Sequence, residues 1–360
     1  MAGRIGPLPP IPTLTLYWYS ISSIPVANPN SLSDWNTYFD LPTNGTPFTS
    51  VEVMGNAVYL KGGSDIVIAD NLFAYNIDLY QVNDTGCVTS LGTGCFSQSG
   101  ITDIYMEKVE VAGNFAFDSS AIITVNMPAL IIANQGAFSN CINITSIILP
   151  SLQHAGTSCF DSTYVFGYVD FPNLLTAGAN CFAGSAIDNP NFPVLSSIGD
   201  YCFNYCQATT ISLPSLTSMG VNAFESSYYL ETISLPIITT VGVNAFYNCG
   251  SLINVSLPAA ILVDIYAFYG CINLSTISLP SATTIGYECF DTCSSLSTIS
   301  LPACTDLGGD IYDDAVFNNI NLQTISLTVP TALMNAQGAG IPDGDIETLQ
   351  LNNTVTVHEV

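Results

Sequence analysis

The chain has 360 residues, 48% of them hydrophobic and only 9% charged, where about a quarter is usual for a globular protein. Its 28 acidic side chains stand against three basic ones, Arg4, Lys61 and Lys108, for a net charge of -25. That balance argues against a nucleic-acid binder, which must neutralise phosphates, and against an anionic membrane surface. No apolar run reaches the ~18 residues of a transmembrane helix, so no membrane insertion is expected.

Residues 1–30 read as an extended arm. The opening "MAGRIGPLPPIPTLTLYWYS" has four prolines and no clean apolar stretch ahead of a small-residue cleavage site, so a secretory signal is not expected, and Met1 argues against prior processing. Leu14, Leu16, Tyr17, Trp18 and Tyr19 are too apolar for a solvated tail. They predict an arm that docks on another subunit, making the chain part of a homo-oligomer or larger assembly.

Residues 31–87 read as an N-terminal cap with a first irregular coil. "SLSDWNTYF" predicts a short helix burying Trp35 and Phe39, and "VEVMGNAVYLKGG" a hairpin turning at Gly55-Asn56. A cap is needed because an end coil would otherwise expose core and a strand edge.

Residues 88–328 carry an internal repeat. One phenylalanine recurs at 96, 117, 138, 160, 182, 203, 224, 246, 268 and 290, in steps of 21 or 22. A proline column keeps the same beat from Pro128 to Pro302, lapsing to Glu107 before it. A glycine column lies four residues ahead of the phenylalanine, as at Gly199, Gly220 and Gly242, and is expected to supply a tight turn. In "TISLP" the alternation predicts a strand, with Ile233 and Leu235 inward and Thr232 and Ser234 outward. Pro236 then ends the ladder, having no N–H to give. The "AFYNC" piece predicts a short helical or irregular turn that buries its phenylalanine. No unit this short can bury its own apolar face, so the coils must stack. The expected fold is a repeat solenoid of about 11 units of 21–22 residues with one parallel β-sheet face and a cap at each end. The beat fails after Thr328, and residues 329–360 read as the C-terminal cap.

From Thr217 to Pro302 the pattern I-G-x-x-A-F-x-x-C-x-x-L-x-x-I-x-L-P resembles the BspA-like leucine-rich repeats nearly letter for letter. The resemblance implies a right-handed leucine-rich-repeat coil. It also implies a recognition or adhesive module rather than an enzyme, of a kind found mostly on or outside bacterial and some protist cells, with similar repeats in phage proteins.

The residues themselves offer little chemistry. Only two histidines exist, His154 and His358, and neither sits at a recognisable nucleophile, phosphate-loop or metalloprotease spacing. No catalytic residue and no cofactor is expected. Ten of the twelve cysteines fall in two columns, directly before the phenylalanine or three after it. They read as small buried hydrophobes, although stacked columns bring Cα atoms within disulfide reach. Zinc is not expected, since no histidine lies near the Cys202/Cys206 and Cys289/Cys293 pairs. Asp310, Asp313 and Asp314 form a weak calcium candidate, read in the first place as a solvated insertion.

The outward strand positions carry the candidate binding surface. Its regular part is Thr232, Ser234, Asn254, Ser256, Thr276 and Ser278, and the same register runs from Thr210/Ser212 to Thr298/Ser300 and Thr324/Ser326. Toward the N-terminus it diversifies to Tyr168, Asp170, Asn189 and Asn191. This polar ladder suits a host-surface glycan or protein. With the docking arm and the absent export signal, the expectation is a non-enzymatic virion fibre, spike or tail-associated component of a phage, at the virion or extracellular surface. The arm would join other virion or filament subunits. The alternatives are a bacterial cell-surface adhesin and a self-assembling extracellular filament subunit.

Overall fold

The computed structural model describes residues 48–54, 57–62, 66–68, 70–77, 79–84, 86–163, 168–307, 326–329 and 356–359. The expected docking arm, the helix near Trp35, the Gly55-Asn56 turn and the Asp310, Asp313 and Asp314 cluster lie outside them. The chain divides into two compact units, Met1–Tyr164 and Val165–Val360. Both are β-solenoids wound from the same coil, and no helix occurs among the described residues.

Each coil is closed by three backbone ladders. The first is the expected strand. In the second unit Thr210–Ser212, Thr232–Ser234 and Asn254–Ser256 pair parallel, with Ile211, Ile233 and Val255 in register. Ile233 and Leu235 are buried, while Thr232 and Ser234 are partly exposed. Leu235 still donates its N–H to Ser256 O at 3.0 Å before Pro236 ends the pairing. In the first unit the same ladder runs through Ala57–Gly62, Gln81–Asp84, Asp103–Tyr105, Thr124–Asn126 and Ser146–Ile148. Phe48–Met54 caps it as the antiparallel partner of Ala57–Gly62, the expected hairpin. The second ladder, of mostly two-residue strands such as Thr240–Val241 and Leu262–Val263, follows the proline and adds to the single sheet face read from the sequence.

The third ladder is formed by the turn around the core phenylalanine, and of the helical or irregular turn expected there it takes the irregular form. In every coil from Phe73 to Phe290 the residues two before and two after the phenylalanine have positive φ, Asn244 at 54° and Asn248 at 57° beside Phe246. The turn is three overlapping β-turns, the middle one closed by Tyr247 N–H to Asn244 O. Ala245 N–H donates to Gly242 O and Cys249 N–H to Phe246 O, each at 3.1 Å. Alternating hand aims every second N–H at the next coil, so Asn244, Phe246 and Asn248 donate to Ile265, Ala267 and Tyr269 carbonyls at 3.0, 2.8 and 2.7 Å. A left-handed non-glycine residue costs about 1–2 kcal/mol. Here most such residues gain an inter-coil hydrogen bond that a helix would spend within the coil. Asn and Gly recur among the occupants, and these tolerate that region best.

The glycine column also has a different cause from the expected tight turn. Its φ values are ordinary; what excludes a side chain is the neighbouring coil. A Cβ on Gly113 would lie 2.6 Å from the carbonyl carbon of Gly92, and one on Gly199 would strike the backbone of Gly178 and Ala179. The coils are packed backbone on backbone at this corner.

Between the ladders lies the core. Within the first unit Phe73, Phe96, Phe117, Phe138 and Phe160 stack with centroids 5.1–5.4 Å apart. Within the second, Phe182, Phe203, Phe224, Phe246, Phe268 and Phe290 do the same at 5.1–5.7 Å. The strand spacing of about 4.8 Å sets this repeat, and the rings tilt slightly to fill it.

The cysteines are buried and carry no disulfide. Those before the phenylalanine fill the small-residue column that Ala223, Ala245 and Ala267 fill elsewhere. Those three after it do more than the sequence suggested. Cys141, Cys249, Cys271 and Cys293 donate S–H to the carbonyl of the previous coil's core phenylalanine at 3.0–3.2 Å. Thr163 and Ser227 make the same bond through oxygen, at 2.8 and 2.6 Å. The column is therefore one of small hydrogen-bond donors. Burial pushes the Cys249 thiol up from 9.0 to about 12, so it stays a protonated donor.

Candidate recognition surface

The outward positions of the long ladder form a polar strip in each unit. In the second unit Thr232, Asn254 and Thr210 share one row, and Ser212, Ser234 and Ser256 the next. The Asn254 amide donates to Thr232 Oγ1 at 3.2 Å. Thr276 and Ser278 pair with Thr298 and Ser300. Beyond that the expected register slips. Ser326 sits opposite Thr298, and Thr328 opposite Ser300, so Ser326 does not continue the Ser300 row. The observed pairing lies two residues along from the register read in the sequence. Thr324 lies outside the described residues.

The diversified part is also corrected in detail. Tyr168–Asp170 pairs with Asp188–Asn191, and Asp170 opposes Asn191 as expected, its carboxylate accepting the amide at 2.8 Å. An irregularity in the pairing then places Asp188, not Asn189, opposite Tyr168. Pro190, which cannot donate to a ladder, lies inside this strand.

The sequence reading missed the strip of the first unit. There the rows are Gln81, Asp103, Thr124, Ser146 and Asn83, Tyr105, Asn126, Ile148. Tyr105 is 48% and Ile148 49% exposed, each a large apolar body standing on an otherwise polar face. They line a shallow depression of about 260 Å³ with Gln81, Asp103, Thr124, Asn126 and Ser146. The Asp103 carboxylate accepts from the Thr102 hydroxyl at 2.9 Å and from that of Thr124. Gln81 Nε2 donates to Asn83 Oδ1 at 3.2 Å. The signal was present: these residues stand four and two places before the Glu107, Pro128 and Pro150 column, as Thr232 and Ser234 stand before Pro236. It was missed because the proline itself lapses at the first of these coils.

His154 lies in the short strand His154–Ala155 and His358 in Thr356–Glu359. Among the described residues no group of His, Cys, Asp or Glu is arranged to hold a metal ion. No helix there is long and apolar enough to cross a membrane.

The family model described as "BspA type Leucine rich repeat region (6 copies)" matches residues 66–188, 175–265 and 261–337. No curated protein matches. Among solved structures, a leucine-rich repeat protein from Bacteroides ovatus superposes with a TM-score of 0.58 at 19% identity, covering 89% of this chain and 100% of its own. The pneumococcal vaccine antigen PcpA gives 0.48 at 14% identity, over 86% and 96%. A leucine-rich cell surface protein from Faecalibacterium prausnitzii gives 0.34 at 18%, over 79% and 88%. At these identities the likeness concerns the fold.

Proposed function

The chain belongs to the BspA-type leucine-rich-repeat family, and from that premise we propose that it is a non-enzymatic adhesion module of a bacterial surface that binds glycan on the outward strand face of its first unit. The observation that carries this reading is the depression around Tyr105. An aromatic ring and an aliphatic side chain stand there half-exposed among two amides, a carboxylate and two hydroxyls. A sugar presents the matching surface, an apolar C–H face for the ring and hydroxyls for the fixed acceptors and donors. The hydroxyl and amide strip of the second unit supplies further contact of the same character. A virion fibre or spike would use the same face. The cell-surface reading is placed first because the family's members are mostly exposed on or secreted from bacteria.

The test is a glycan array probed with the purified chain, followed by titration calorimetry on the best hit. Tyr105→Ala should weaken binding about tenfold through loss of stacking. Asp103→Asn, which keeps the shape, should change which sugars bind. If no glycan binds, or if both variants bind like the parent, the assignment of this face fails.

A further inference from the structure

The opposite character is found on the turn face of the second unit, where tyrosines collect beside carboxylates. Tyr247 and Tyr269 follow the core phenylalanine in adjacent coils and stack with centroids 4.8 Å apart at 9°. Tyr266 meets Tyr269 edge-on at 5.7 Å, and Tyr287 meets Tyr266 at 5.2 Å. Four rings thus form one continuous, partly exposed patch. Glu225 occupies the Tyr247 position one coil earlier, and Glu288 the Tyr266 position one coil later. Asn244 and Tyr247 close the same β-turn, and the buried Asn244 Oδ1 has no hydrogen-bond donor. Burial first, and then Tyr269, Glu225, Tyr266 and Glu288, hold the Tyr247 hydroxyl above its ordinary value, which places both carboxylates within electrostatic reach of the rings.

We propose that this patch docks a basic segment of a partner protein, with arginine as the preferred side chain. A planar guanidinium lies on ring faces and donates to flanking carboxylates at once, which a point-like ammonium does less well. Charge complementarity identifies the occupant. No Lys or Arg occurs anywhere after Lys108, so the chain offers these carboxylates no cation of its own from the second unit. A second copy, with a net charge of -25 and three basic residues, is repelled rather than attracted. A basic partner is also steered toward the chain as a whole before it reaches the rings. The surface is distinct from the strand face and stands or falls separately from glycan binding.

The experiment is fluorescence anisotropy of labelled hexa-arginine titrated with the full chain at about 0.15 M salt, where general attraction is largely screened. The repeat supplies safe substitutions. Ser97 and Ser139 already stand where Tyr247 and Tyr269 stand, and Asn222 where Tyr266 stands. The pair Tyr247→Ser and Tyr269→Ser should weaken binding about tenfold. Glu225→Gln with Glu288→Gln should weaken it and flatten its salt dependence. Tyr105→Ser, on the other unit, should leave it unchanged. A tyrosine pair variant that binds hexa-arginine like the parent would reduce the effect to polyanion attraction and overturn the proposal. So would tyrosine-dependent binding of tetramethylammonium by a chain that does not bind hexa-arginine.

Discussion

Replacing Phe246 with alanine tests the architecture at its centre. The ring is fully buried and lies between Phe224 and Phe268, both 5.1 Å away. Truncating a buried phenylalanine costs about 3–5 kcal/mol, the spread reflecting how far the site collapses. Collapse is restricted here. The two neighbouring rings sit on backbone fixed by Phe224 N–H to Ala245 O and Phe246 N–H to Ala267 O, both 2.8 Å. A cavity one coil high should remain, so the loss belongs in the upper part of that range. Ser256→Ala, on the exposed strand row, is the matched control and should stay within about 0.5 kcal/mol. Urea unfolding followed by circular dichroism gives the totals. Hydrogen exchange gives the location, because stability in a solenoid is a sum of local and nearest-neighbour terms. The Phe224, Phe246 and Phe268 amides should lose protection ahead of distant coils. A loss below about 1 kcal/mol for Phe246→Ala, or one equal to that of Ser256→Ala, would refute the stacked-column account.

Three further outcomes follow from the same geometry. Cys249→Ser should retain most of the stability and Cys249→Ala lose about 0.5–1.5 kcal/mol, because alanine removes one of two donors to the buried Phe224 carbonyl and leaves it the Ser227 N–H at 3.2 Å; urea midpoints of the two variants decide it. The Cys249 thiol is raised from 9.0 to about 12 in the folded chain, so its contribution is complete below pH 9 and lost as pH climbs toward 12; native iodoacetamide labelling should be negligible at neutral pH and appear with alkaline unfolding, and rapid labelling of the folded chain would contradict the burial. Gly199→Ala should cost about 1–3 kcal/mol by overpacking against the Gly178–Ala179 backbone, whereas Gly242→Ala, whose nearest neighbour would be Gly220 O at 3.3 Å, should cost less; equal thermal midpoints would show that the corner is not backbone-packed.

Much of this fold was legible in one dimension. Strand alternation, the phenylalanine beat and the proline stop are local rules, and a coil that cannot bury its own apolar face must stack. Those rules fixed the inward sides of Ile233 and Leu235, the burial of Phe246 and the outward row from Thr210 to Thr298. The family came separately, from the likeness of the repeat motif and the match of the family model. What contacts between coils decide was not legible. The paired left-handed residues of the turn look like ordinary Asn, Ser and Tyr until the N–H groups they aim at the next coil are seen. The glycine column owes its composition to a neighbour's backbone some 21 residues away rather than to its own φ. The cysteine column becomes a donor column only when the carbonyl above it is in place. The register of Ser326 and the irregularity near Asn189 are seen only in the pairing itself. Tyr105 meets Asn83 and Asn126, and Tyr247 meets Glu225 and Tyr269, because winding brings residues one period apart to about 5 Å, the spacing of neighbouring strands. The period is written in the sequence; which side chains it stacks into a surface is decided by the register of the coils.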